Sequence, residues 1–397
     1  MELNLENGAL LLLVAAVVAM LTRRLRLPYT AGLVAAGIGI AFLPFSLTVD
    51  LTRDLIFTGL LPPLIFEAAF QLDWNQLRRD LPVITLLATV GVLLSAAITA
   101  AGVRYLQNWD WTSAIAFGVL IAATDPVSVV ATFREARAHG RLLVLIESES
   151  LLNDGTAAVA FAAVLTWIAG RALTPIDLGI SVLVMIGGGI LCGGAISAFM
   201  LLLAGRTEDH LVETTFTTVA AFGSFLLAEH FHLSGVLATL TAGLMFRNFR
   251  RLGSISARGQ EAIQDFWDFA AFVANSLIFL LIGMREARQN LSIIWAPASI
   301  IIVIVMLGRA AAVYPCCLIF ARSGLRVSAA HQHILFWGGL RGALALALAL
   351  GLPVEVPMRE TIIAISFAVA SFSVFVQGLT MTPVLRWAGE IPRDVQY

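Results

Sequence analysis

Lysine is absent from this chain of 397 residues, so all 25 basic side chains are arginines. Charged residues of either sign are scarce, at 13% of the sequence, and they nearly cancel to a formal net charge of -1. That balance excludes nucleic acid as a partner, because binding to a polyanion requires a basic surface. The three cysteines, Cys192, Cys316 and Cys317, lie in apolar runs without metal-ligand spacing, which indicates small packing residues.

Apolar residues are what the chain has in excess: they make up 59% of it, and the mean hydropathy is +0.89. A chain of this composition cannot hide its apolar surface in a water-soluble core. We therefore predict an all-α polytopic membrane protein, in contact with the lipid bilayer and with no stretch left for a soluble domain. Taking about 20 apolar residues as one span, we predict thirteen transmembrane helices, at residues 8–22, 29–47, 54–72, 81–105, 111–133, 142–169, 177–204, 211–230, 233–248, 262–283, 291–320, 330–351 and 358–385.

The arginines predict how the chain is oriented in the membrane. The first span is preceded by Glu2 and Glu6 and followed by Arg23, Arg24 and Arg26, which favours an N-terminus outside the cell. With that orientation, seventeen arginines fall in cytoplasmic loops and six on the outer side, as the positive-inside rule requires. We expect a multi-pass protein of the cell (inner) membrane with a cytoplasmic C-terminus.

Ionisable side chains interrupt a few of the predicted spans. The segment 147–154 contains three carboxylates, Asp125 lies in span five, and Arg309 and Arg341 lie in spans eleven and twelve. Such groups are costly inside a bilayer and mark ion or proton pathways by default. The pattern is typical of a secondary transporter.

Two of these charges lie where a span is interrupted. Asp125 precedes Pro126, which removes a backbone donor, and Arg341 lies in the glycine-rich segment 338–342. The interrupted spans are five and twelve, so they correspond if span seven links two six-helix halves of opposite orientation. An acid near paired helix N-termini and a base near paired C-termini would offset their partial charges, and Asp125 and Arg341 are placed for those tasks. A proline kink and a glycine packing face remain the simpler alternative.

Helical periodicity organises the acidic segment. Asp154 lies four residues after Ser150, and Asn153 lies four residues after Glu149, so the group shares one broad helix face. Oxygen ligands suit a small hard cation such as Na+, and a carboxylate among them can hold a proton instead. A site that takes one or the other is an exchanger. Alternatively, Glu149 only neutralises Arg309, and Asp154 is then the acid that remains for the exchange.

Other classes of function fit less well. A sodium-coupled solute symporter on the same inverted-repeat scaffold is the main alternative, whereas a channel would need a continuous polar stripe along several helices. The His-x-His pairs at 230–232 and 331–333 lack a glutamate at protease spacing, so we expect no intramembrane metalloenzyme. We expect neither enzymatic activity nor a cofactor.

Several ungapped motifs carry a family resemblance along nearly the whole chain. They are Ala-Ala-Thr-Asp-Pro-Val-Ser at 122–128, Glu-Ser-Leu-Leu-Asn-Asp-Gly-Thr-Ala at 149–157, Ala-Glu-His-Phe-His-Leu-Ser-Gly-Val-Leu-Ala at 228–238, Asn-Ser-Leu-Ile-Phe-Leu-Leu-Ile-Gly at 275–283 and Trp-Gly-Gly-Leu-Arg-Gly-Ala at 337–343. Together they resemble the cation/proton antiporter-1 family, the sodium/proton exchangers of bacterial NhaP type.

The resemblance implies an ion site. Asp154 matches the aspartate that binds the ion and carries the proton, Thr124 and Ser150 match its oxygen ligands, and Glu149 matches an acid beside the ion. Na+ would therefore be held by these four residues. Li+ and K+ are the alternative cations for the same site.

The resemblance also implies the surroundings of that site. Asn153 matches the asparagine of a paired Asn-Asp motif, which implies electroneutral exchange of one cation for one proton. Arg309 matches the arginine that pairs with the acid at Glu149, and Asp125 and Arg341 match the charges in the crossed broken helices.

The fold implied by the resemblance has two inverted six-helix repeats with crossed broken helices. A mobile core domain would comprise mainly residues 81–170 and 262–351, and a dimerisation domain mainly residues 1–72 and 177–248. We thus expect a homodimer, elevator-type alternating access and a role in pH homeostasis.

Overall fold

The computed structural model describes residues 5–25, 27–42, 51–135, 140–170, 174–248, 255–287 and 291–391. Within these ranges the chain forms helices joined by turns and contains no β-strand, although an isolated β-bridge joins Asp125 to Leu340. The predicted all-α architecture is therefore confirmed for the residues that the structure describes.

The α-helices are numbered in chain order. They are α1 (Leu5–Leu25), α2 (Tyr29–Ala41), α3 (Leu61–Gln71), α4 (Trp74–Leu86), α5 (Val92–Leu106), α6 (Trp111–Leu120), α7 (Val127–Glu135), α8 (Arg141–Ile168), α9 (Pro175–Ala204), α10 (His210–His230), α11 (Gly235–Asn248), α12 (Ala257–Glu286), α13 (Leu291–Ile319), α14 (Ala329–Trp337), α15 (Ala343–Leu350), α16 (Arg359–Phe372) and α17 (Leu379–Trp387). Three π-helical segments continue into these helices without a break: Leu55–Leu60 before α3, Leu87–Gly91 between α4 and α5, and Ser373–Gly378 between α16 and α17.

Eight helical segments among the described residues are long and apolar enough to cross a membrane, judged by length and composition. They are Asn7–Leu25, Trp74–Leu106, Arg141–Ile168, Gly179–Ala204, His210–His230, Ala257–Glu286, Ala296–Ile319 and Arg359–Trp387. Shorter apolar helical segments cover Tyr29–Ala41, Leu55–Gln71 and Trp111–Leu120. The count of thirteen spans stays a prediction.

Both predicted interruptions are present. After α6 ends at Leu120, the chain is non-helical until α7 begins at Val127, directly after Pro126. After α14 ends at Trp337, residues 338–342 leave the helix before α15 begins. Proline and consecutive glycines are the residues that disfavour helix continuation, so the local sequence explains both breaks.

The chain divides into two compact units. The first covers Met1–Arg53, Pro82–Asn153 and Asn275–Tyr397, and in it α5 packs against α6 and α13. The second covers Asp54–Leu81 and Asp154–Ala274, and in it α11 packs against α3, α9 and α10 around Phe66 and Trp267, whose ring centroids lie 4.4 Å apart. The predicted core and dimerisation domains are defined by movement and not by packing, so they stay predictions.

Candidate ion-binding site

The two helix breaks of the first unit meet at Asp125. Its backbone amide donates to the Leu340 carbonyl at 2.7 Å. Its carboxylate accepts hydrogen bonds from the amides of Val127, at 2.9 Å, and Ala343, which are the first residues of α7 and α15. Helix N-termini carry partial positive charge, so one carboxylate stabilises the beginnings of both half-helices.

Arg341 lies at the opposite kind of helix end. Its Nη1 donates to the Ala122 carbonyl at 2.7 Å and to the Ala123 carbonyl at 3.1 Å, just after α6 ends, and the side chain is buried. A cation is favourable beside carbonyl groups that no longer have helical partners. The structure thus places Asp125 at two N-termini and Arg341 after a C-terminus, and their supporting role in transport stays a prediction.

Gly342 leaves the space that the Asp125 carboxylate occupies. A Cβ atom at Gly342 would lie 2.0 Å from Asp125 Oδ2 and 2.3 Å from its Cβ. We expect Gly342→Ala to cost about 1–3 kcal/mol of stability, as overpacking usually does, seen as a lower melting temperature of the purified protein in detergent. Gly324→Ala is the control, because a Cβ there would meet nothing within 4 Å. Equal melting temperatures for both variants would contradict this account of Gly342.

A buried ion pair joins α8 to α13. Arg309 donates from Nη1 to Glu149 Oε1 at 2.8 Å and from Nη2 to Glu149 Oε2 at 3.0 Å, and both side chains are buried. Nη2 also donates to the Leu335 carbonyl of α14 at 2.8 Å. A Cβ at Gly339 would lie 2.4 Å from Arg309 Nε, so the glycine segment provides the space for the guanidinium group. The pair is bidentate and desolvated, the geometry in which charge partners depend most on each other.

Neutral oxygen atoms cluster beside this ion pair. Thr124 Oγ1 lies 3.3 Å from Ser150 Oγ, and Ser150 Oγ donates to the Thr124 backbone carbonyl. Asn153 Nδ2 donates to Thr124 Oγ1 at 3.2 Å and to Glu149 Oε1 at 3.4 Å. All four side chains are buried. The unwound segment after α6 and one face of α8 therefore bring hydroxyl, carbonyl and carboxylate oxygens together.

The Asn153 side chain leaves one acceptor unused. With its amide nitrogen directed at Thr124 and Glu149, its Oδ1 is buried and accepts no hydrogen bond from the described part of the chain. A buried polar atom without a partner is costly, so a ligand that needs an oxygen donor fits here. Small hard cations need such donors.

Asp154 follows Asn153 in α8 and is half-buried. It lies one helical turn after Ser150, on the side of α8 that the sequence indicates. The boundary between the two compact units falls between Asn153 and Asp154. Its role as the ion and proton carrier stays a prediction.

Two contacts of this site involve neutral groups, which the pattern of charged residues does not predict. The Leu335 carbonyl that receives Arg309 has no sequence signal, because any residue offers it. Gln377 donates from Nε2 to the Trp337 carbonyl, the last residue of α14, at 2.9 Å. A polar amide inside the last apolar run was the available signal for Gln377.

The chain is similar to known transport proteins along nearly its whole length. A family profile described as "Sodium/hydrogen exchanger, transmembrane" matches residues 10–387. The Na+/H+ antiporter ApNhaP of Aphanothece halophytica is 37% identical over 98% of this chain and 75% of its own length, and the low-affinity Na+/H+ antiporter NhaS1 of Synechocystis is 35% identical over 99% and 77%. The solved structure of the sodium proton antiporter MjNhaP1 from Methanocaldococcus jannaschii at pH 8 superposes with a TM-score of 0.78 at 19% identity, covering 97% of each chain, which confirms the predicted antiporter fold. The chain belongs to the sodium/hydrogen exchanger family.

Proposed function

We propose that this chain is a secondary active antiporter that exchanges Na+ for H+ across the membrane. The observation that carries the proposal is the buried group of oxygens from Thr124, Ser150, Asn153 and Glu149, held where two broken helices meet. The relatives described above are named Na+/H+ antiporters, which favours exchange over the sodium-coupled symport alternative.

Na+ would bind to the Asp154 carboxylate together with the oxygens of Thr124, Ser150 and Glu149. Arg309 already neutralises Glu149 through two hydrogen bonds, so Asp154 is the acid whose charge would change during transport. Asn153, its neighbour in α8, is an amide that carries no charge at any working pH. One titrating acid per site implies one proton for one cation, and hence electroneutral 1:1 exchange.

Alternating access would move this site between the two sides of the membrane. We propose an elevator-type movement of the core domain, mainly residues 81–170 and 262–351, against a dimerisation domain, mainly residues 1–72 and 177–248. The protein would be a homodimer in the cell membrane with its N-terminus outside. Exchange of Na+ for H+ would serve pH homeostasis.

The test is Na+-driven proton movement in sealed vesicles that contain the purified protein. Addition of Na+ alone should release protons from an acidified lumen, and Li+ and K+ should be compared over a pH series. A symporter would need an added solute, and a channel would pass current at a clamped voltage. Proton movement that depends on a second solute would overturn the proposal.

Competition at one carboxylate gives a quantitative expectation. In the acid range, the apparent half-saturation for Na+ should rise about tenfold per unit fall in pH at the steepest, because one proton displaces one ion. Initial rates of proton movement at several Na+ concentrations and pH values measure this. A half-saturation that stays constant across the acid range would indicate separate sites for the proton and the cation.

A further inference from the structure

Because α14 ends at Trp337, its last carbonyl groups need hydrogen-bond donors from outside the helix. The Ile334 carbonyl accepts the Gly338 amide at 2.7 Å, as in an ordinary helix ending. The next available carbonyls are taken by side chains: Leu335 by Arg309 at 2.8 Å, and Trp337 by Gln377 at 2.9 Å. Arg309 and Gln377 therefore hold the same helix end, two residues apart.

Gln377 also contacts the helix that carries Arg309. Its Nε2 lies 3.6 Å from the sulfur of Met306, which is on α13 one turn before Arg309. Gln377 is buried, with an exposed fraction of 1%. Both hydrogens of its amide thus have acceptors, one on α14 and one on α13. The relative placement of these two helices decides whether Arg309 of α13 reaches the Leu335 carbonyl of α14.

The backbone around Gln377 is unusual. Gln377 lies in the π-helical segment Ser373–Gly378, between α16 and α17. A π-helical turn holds an extra residue, changes the direction of the side chains that follow, and is frequent at functional sites. A regular α-helix through this segment would direct residue 377 elsewhere. The π-helical turn therefore directs the Gln377 side chain to the end of α14.

We propose that Gln377 is a positioning residue for the ion site: it holds the end of α14 against α13 and so fixes the orientation in which Arg309 pairs with Glu149. The inference rests on the proposed exchange of Na+ for H+. Without the Gln377 amide, the end of α14 is less restrained, and the Leu335 carbonyl no longer holds Arg309 Nη2 in place. The Glu149 oxygens are then no longer held in one orientation, so Na+, which needs several oxygens placed together, binds more weakly, whereas a proton on Asp154 needs only that carboxylate.

The test compares two variants that each remove one contact between α14 and the last helix. Gln377→Met removes the amide and keeps the length and the apolar stem. Thr380→Val is the matched control: Trp337 Nε1 donates to Thr380 Oγ1 at 2.9 Å, and this contact is exposed and uses the indole side chain, whereas Gln377 binds the Trp337 backbone carbonyl. If Gln377→Met yields no monodisperse protein, Gln377→Asn, whose amide is one methylene too short, replaces it.

In vesicles, Gln377→Met should raise the Na+ half-saturation at fixed pH about tenfold, the effect of losing one buried hydrogen bond, and move the activity profile to more alkaline pH. Thr380→Val should keep the wild-type half-saturation and pH profile. Unchanged values in the glutamine variant, or equal shifts in both variants, would overturn the positioning role while leaving the proposed exchange intact. A wild-type protein without Na+-driven proton movement would overturn the proposed function, and this inference with it.

Discussion

Asp154→Asn should abolish Na+-driven proton movement, down to the background of vesicles that lack the protein. The asparagine side chain has nearly the shape of aspartate but carries no negative charge and takes up no proton. The substitution leaves the side chains of Asn153, Thr124 and Ser150 unchanged, so the variant should still fold. Proton movement in vesicles at several Na+ concentrations is the measurement.

The control for this variant is Asp265→Asn, which makes the same chemical change at an exposed position of α12. It should transport as the wild type does. Both proteins should elute from a size-exclusion column as the wild type does and should melt at a similar temperature in detergent. Retained Na+-dependent proton movement in Asp154→Asn would contradict the central assignment of the site.

Arg309→Ala should destabilise the protein by about 3–5 kcal/mol, because it leaves the Glu149 carboxylate buried without its partner. Glu149→Gln should be destabilising for the corresponding reason, since it leaves a buried guanidinium. The bidentate contacts at 2.8 and 3.0 Å make each charge depend on the other. The melting temperatures of both single variants in detergent measure these losses.

The double variant Arg309→Ala with Glu149→Gln should recover most of the lost stability, because neither charge is then stranded. The Leu335 carbonyl still loses its donor, so a residual cost of about 1 kcal/mol should remain. Activity need not return, since Glu149 is also proposed to contact the ion. Strictly additive losses would show that the two residues do not pair.

The positions of the helices follow mostly from local sequence. The predicted span 81–105 and the observed helix Trp74–Leu106 agree at one end and differ at the other. The segment 74–80 is helical but carries Arg78, Arg79 and Asp80, so a search for lipid-compatible residues ends before the helix does. The same reason explains why α12 begins at Ala257 and not at residue 262. Hydropathy predicts which part of a helix tolerates lipid, whereas backbone hydrogen bonding decides where it ends.

Part of the candidate site was also available from the sequence. Glu149, Ser150 and Asn153 share a helix face by periodicity, and the structure brings Thr124 to that face. The proline and the glycines predicted the two breaks. The ion pair of Glu149 with Arg309, 160 residues apart, was one of the alternatives that the residues left open, and the family resemblance implied it.

The sequence by itself determined that this chain belongs in a membrane. It also determined the positions at which two of the helices break, and which few charged residues lie within the apolar spans. These properties depend on composition and on neighbours within a few residues. Only the tertiary structure decided that the Asp125 carboxylate serves two helix N-termini, that the Leu335 carbonyl receives Arg309, and that a π-helical turn brings Gln377 to the end of α14. Backbone carbonyls are the same in every residue, so the choice among them is made by packing between helices distant in sequence.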